Sequence, residues 1–194
     1  MSKTAAAKKQ MTTKASDTRE RRDEQQAGIA LDGNTRGKFV LFAIPVDERV
    51  DDGPVMRGLI ETEQGRVNVA GWKRVARDSG NDYLSLKVGN TKPRDADSPK
   101  DAPDEWLIGP FYGRLFKEVN VRRGVKTARY FGFVEHAEKV GEDEESHKGV
   151  YKTHWQLQIK AAPTVSNDGR TAYIGGTASP AGVRAATADN ALPF

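Results

Sequence analysis

The sequence predicts an all-β fold, one small antiparallel barrel set between disordered N- and C-terminal tails. Three observations carry this. Apolar and polar residues alternate with a period of two in successive segments between residues 37 and 174. Turn residues punctuate those segments: Asp78-Ser79-Gly80-Asn81-Asp82 and Asn167-Asp168-Gly169 combine tolerance of positive φ with side chains that bond nearby backbone. No internal repeat and no helix of ordinary length is visible in the same region.

The chain is organised around residues 65–89. On the first arm Val67, Val69, Gly71, Lys73 and Val75 point one way, and Arg66, Asn68, Ala70, Trp72 and Arg74 the other. On the second arm Leu84, Leu86 and Val88 oppose Tyr83, Ser85 and Lys87. One face is aliphatic and belongs to a core. The other sets Trp72 and Tyr83 among Arg66, Arg74 and Lys87, and flat rings between cations suit a strand of nucleic acid. The alternative is that a loop or second layer covers Trp72.

The remaining elements follow in order. Residues 1–36 form a basic tail in which Lys3, Lys8, Lys9, Lys14, Arg19, Arg21 and Arg22 outnumber the acids to that point. It is either an arm that clamps phosphates or a solubilising tail. Gly37 to Val46 is a central strand, apolar on both faces and ended by Pro45. Val55 to Glu61 is a short strand that Glu63-Gln64-Gly65 turns into the hairpin. Asn90 to Asp104 is a polar loop. Glu105 to Phe116 is dense in aromatics and bends at Gly109-Pro110. Val119 to Lys126 is a strand and basic turn, and Arg129 to Val134 the next strand. Glu138 to Lys148 is read as an acidic loop. Tyr151 to Ile159 then alternates cleanly, placing Trp155 with the core set. A last short strand covers Thr171 to Ile174, and residues 175–194 form a flexible tail. Meander order joined by short turns implies an antiparallel sheet or barrel.

Composition narrows the function classes. Of 194 residues, 37% are hydrophobic and 30% charged, which implies substantial disorder outside the folded region. There is no Cys, which excludes disulfide frameworks and thiolate metal sites and is compatible with a reducing compartment; the expected location is the cytoplasm. No apolar run reaches the roughly 18 residues of a membrane helix, and no secretory h-region is seen. The net charge of +4 permits a nucleic-acid partner without requiring one.

Beyond the hairpin, Arg122, Arg123, Lys126 and Arg129 form the strongest basic cluster, leading into Tyr130, Phe131 and Phe133. Alternation puts Phe131 and Phe133 on one face, read as inward, which makes Tyr130 the platform candidate together with Tyr112. The other reading is a solvated turn beside core aromatics. Arg129 to His136 also partly matches the RNP1 pattern of RNA-recognition motifs, but that fold needs two helices. His136, His147 and His154 show no metal-ligand spacing, and no P-loop, G-x-S-x-G or dinucleotide fingerprint is present. The sequence calls for no cofactor, no metal and no catalytic centre.

Two resemblances add to this. The end, Asp189-Asn190-Ala191-Leu192-Pro193-Phe194 after a Gly- and Ala-rich linker, resembles the C-terminal tip of bacterial and phage single-stranded-DNA-binding proteins, with one acidic residue where that family has several. The resemblance implies that Leu192, Pro193 and Phe194 dock on replication or recombination proteins. Ala70-Gly71-Trp72-Lys73-Arg74 with Ser79 to Lys87 resembles the central motif of small proteins from bacterial mobile elements and phages. It implies a similar small β-fold.

The combined expectation is a five- or six-stranded barrel of the OB type over residues 37–174 that binds single-stranded DNA without catalysis. Trp72, Tyr83, Tyr112 and Tyr130 would stack bases. Arg66, Arg74, Lys87, Arg122, Arg123, Lys126 and Arg129 would hold phosphates. The alternatives are a protein-interaction module using the aromatic face, which includes a homo-oligomer, and an RNA-binding module.

Overall fold

The computed structural model describes residues 29–92, 99, 103–122, 124–143 and 149–182. The basic tail up to residue 28, Arg123, His147 and the Leu192-Pro193-Phe194 tip lie outside the described residues, as does most of the loop after residue 92.

Eight strands make the fold: β1 Gly37–Ala43, β2 Met56–Thr62, β3 Gly65–Val75, β4 Asp82–Thr91, β5 Trp106–Arg122, β6 Val125–Glu142, β7 Gly149–Val165 and β8 Ala172–Pro180. Each pairs antiparallel with the next, and β8 returns to pair with β1 from Gly37–Ala178 to Phe42–Tyr173, closing the barrel. The antiparallel barrel is as expected, with eight strands in place of five or six. β5, β6 and β7 run far longer than the apolar alternation that announced them, because their outer ends pair with each other beyond the barrel wall.

Alternation fills the interior. Phe39, Leu41, Ile60, Val67, Val69, Leu86, Val88, Leu115, Val134, Leu157 and Ile159 are buried in a single cluster. Apolar burial of this kind stabilises by about 25 cal/mol per Å² removed from water. Two glycines mark where paired strands coil most tightly against each other. A Cβ on Gly132 would lie 1.9 Å from the Arg114 carbonyl oxygen, and one on Gly58 1.8 Å from that of Val40. Glycine within a strand permits such approach where a barrel turns sharply.

The ends of the barrel differ. One is covered by Ile29 and Leu31, both buried. The backbone N–H of Ala30 donates to Gln64 Oε1 at 3.2 Å, and an Asp32–Thr35 turn leads into β1. The reading of residues 1–36 as tail is therefore corrected from Ile29 onward. Three residues of alternation without a strand partner are too short a signal to identify. The C-terminal boundary at 174 also moves, since β8 continues to Pro180 through Gly175 and Gly176. Those small residues look like linker, but a Cβ on Gly176 would meet the Lys160 carbonyl oxygen at 2.1 Å.

Asn90, assigned to a loop from sequence, is instead a buried strand residue. Its Nδ2 donates to the Arg66 carbonyl oxygen at 2.9 Å, and its Oδ1 accepts from Asn68 N–H at 2.9 Å. The β3–β4 pairing runs out at Val69–Val88, so this side chain replaces ladder bonds where the register shifts.

Candidate nucleic-acid interface

Because paired residues of antiparallel strands share a face, the outward side chains of β3 to β7 line up in rungs. The first rung is Arg74, Tyr83, Phe116, Phe131 and Lys160. The second is Trp72, Ser85, Arg114, Phe133 and Gln158. The third is Ala70, Lys87, Tyr112, Glu135 and Gln156. The hairpin face deduced for Trp72, Arg74, Tyr83 and Lys87 is the outer face of the barrel.

The first rung holds three rings in series. Tyr83 and Phe116 have centroids 5.7 Å apart and planes 30° apart; Phe116 and Phe131 are also 5.7 Å apart, at 26°. Arg74 and Lys160 flank them on β3 and β7. The Arg114 guanidinium lies 5.8 Å from the Tyr83 ring centroid, within cation–π reach. Phe131 is 48% exposed. A groove of about 1240 Å³ runs over Phe116, Phe131, Phe133 and Gln158 toward Gly182.

Phe131 and Phe133 share a face, as deduced, but it is the outer one. Tyr130 is the inward residue: it packs against the core and lines a cleft of about 220 Å³ beside Leu84, Leu115 and Lys117. The next inner pair after Tyr130 on these strands is Gly132 and Leu115, and at Gly132 the paired β5 backbone comes so close that a Cβ would lie 1.9 Å from the Arg114 carbonyl oxygen. The two phenylalanines occupy the outer positions, against their polarity. Tyr130 is removed from the platform set, and Phe116, Phe131, Phe133 and Arg114 join it. Register was the missing signal: counting back from the 122–125 turn places Phe131 opposite Phe116.

The other candidates are spread out. Trp72 is half-buried, and its Nε1 donates to the Asp52 carbonyl oxygen at 3.1 Å, so the loop after β1 braces its edge. Lys87 Nζ sits 4.5 Å from the Trp106 ring centroid. Tyr112 is 58% exposed on the third rung. Arg66 lies at the far end of β3, where Glu61 Oε1 accepts from its Nε at 2.9 Å and its Nη2 at 2.7 Å. That pairing takes Arg66 away from the rings. The predicted basic cluster divides: Arg129 points outward two residues from Phe131, whereas Lys126 falls on the opposite face of the β5–β6 hairpin, across from Val121. Arg122 ends β5 opposite Val125.

Burial raises the Glu135 carboxyl above its ordinary range, while a hydrogen bond from Gln156 and the nearby Arg114 charge pull it back. On β6 and β7, His154 Nε2 and Glu138 Oε2 are 3.2 Å apart, and the His136 and His154 rings are 4.9 Å apart. Among the described residues no group of three or more acidic or histidine side chains converges as a metal site, and no helix is long and apolar enough to cross a membrane.

Comparison with protein-family models, curated protein sequences and solved structures finds no match for this chain.

Proposed function

We propose that the outer face of β3 to β7 binds single-stranded nucleic acid, with single-stranded DNA the first candidate, and that the protein acts by binding rather than catalysis. The observation that carries this is the first rung: three rings in series between Arg74 and Lys160. Bases stack on such rings whatever their sequence, and cations on either side neutralise the phosphates between them. The closure of the barrel supports the same reading. Within the barrel wall each strand is hydrogen-bonded on both sides, which leaves the side chains of a face as the surface for recognition there. The Leu192-Pro193-Phe194 tip, through its resemblance, gives the role of recruiting replication or recombination proteins, in keeping with a phage or mobile-element source. A protein–protein interface on the same face is the second reading, favoured by Phe116 and Phe131 having no polar atom to offer. Binding of a labelled oligonucleotide that weakens as salt rises separates the two. A partner protein held by the rings alone would be nearly indifferent to salt.

A further inference from the structure

The third rung is chemically unlike the first. It ends in a carboxylate and an amide, Glu135 and Gln156, directly opposite each other on β6 and β7. Gln156 Nε2 donates to Glu135 Oε2 at 3.3 Å. The bond orients the carboxylate, on which the Arg114 charge also acts, and the carboxylate and the Gln156 carbonyl oxygen are the acceptors this pair brings to the outer face. A carboxylate in this place opposes the neighbouring cations: it repels phosphate, and it is half-buried at some cost to its charged form. The group suits a ligand that donates hydrogen bonds. Phe133 precedes Glu135 by two residues on the same face of β6, a separation of about 7 Å. The hydrogen-bonding edge of a base stacked on Phe133 can reach the acceptor pair.

We infer that Glu135, positioned by Gln156, reads base edges in the bound strand and accepts a hydrogen bond from the exocyclic N4 amine of cytosine. Thymine has a ring of the same size but places a carbonyl oxygen at that position, which meets the carboxylate oxygen with no proton between them. The inference rests on the single-strand reading of the face and makes that face selective.

The test uses the full chain and two labelled oligonucleotides of equal length, oligo-dC and oligo-dT, followed by fluorescence anisotropy at pH 7.5. The wild-type protein should hold oligo-dC at least about fivefold more tightly than oligo-dT. In Glu135→Ala the two affinities should converge to within about twofold, with oligo-dT binding unchanged or stronger because a repelling charge is gone. Equal affinities in the wild type, or a dC preference that survives in Glu135→Ala, overturns the inference while the single-strand reading stands. Failure of both oligonucleotides to bind overturns the two together.

Discussion

At the scale of single residues, the proposed binding depends on rings that stack and charges that are placed. Phe131 is the most exposed of the first-rung rings, with its centroid 5.7 Å from that of Phe116. Phe131→Ala should weaken oligonucleotide binding by about 1–3 kcal/mol, the range for one stacked base, with the melting temperature little changed because the ring is outside the core. Tyr130→Ala should do the reverse, lowering stability while leaving affinity for the strand nearly intact, since Tyr130 faces inward. The two variants measured side by side check the reassignment. Glu135 gives a pH-dependent counterpart. Its folded-state pKa is raised by burial above the ordinary value of 4.5. Its contribution to stability is therefore full below that value and is lost as pH rises through the folded-state pKa. Glu135→Gln should melt higher than the wild type near neutral pH, and the gap should close as pH is lowered through 4.5. A gap that widens on acidification would mean burial does not dominate at this carboxyl.

At the scale of elements, the β3–β4 hairpin was legible from Gly65 to Val88. Its alternation and the Asp78 to Asp82 turn assign every side chain to its correct face, because one face is aliphatic and the other charged. The β5–β6 hairpin was legible as strands but not as faces. There the inner positions include Gly113 and Gly132, while Phe116, Phe131 and Phe133 point out, so hydrophobicity names the wrong side. Pairing register decides such a case, and a single strand does not display it. Asn90 was missed for a related reason: its polar side chain suits a loop until both of its hydrogen bonds to β3 are seen. Asn90→Ala leaves a partly buried N–H and a partly buried carbonyl on β3 without their partner and should cost about 1–3 kcal/mol, read as a shift in denaturant midpoint with an unchanged slope.

At the scale of the whole molecule, a barrel covered at one end by Ile29 and Leu31 presents one broad aromatic and basic face. Leu31→Ala should lower stability by about 2–5 kcal/mol, measured by chemical denaturation, which distinguishes a packed cover from a tail. The charge of the chain is only slightly positive overall, so affinity has to come from where cations sit. Arg74, Arg114, Arg129 and Lys160 surround the rings. If these neutralise about four phosphates, the logarithm of the binding constant should fall with the logarithm of salt at a slope of about −3.

The most direct test of the central claim is a titration of the full chain into a fluorescent oligo-dT of about 30 nucleotides, beside a duplex of the same length, at about 50 and 200 mM salt. The expected result is tighter binding to the single strand, a marked loss of affinity at the higher salt, and a much weaker complex with Phe131→Ala. Absence of binding at the lower salt, or equal affinity for the duplex, would contradict it.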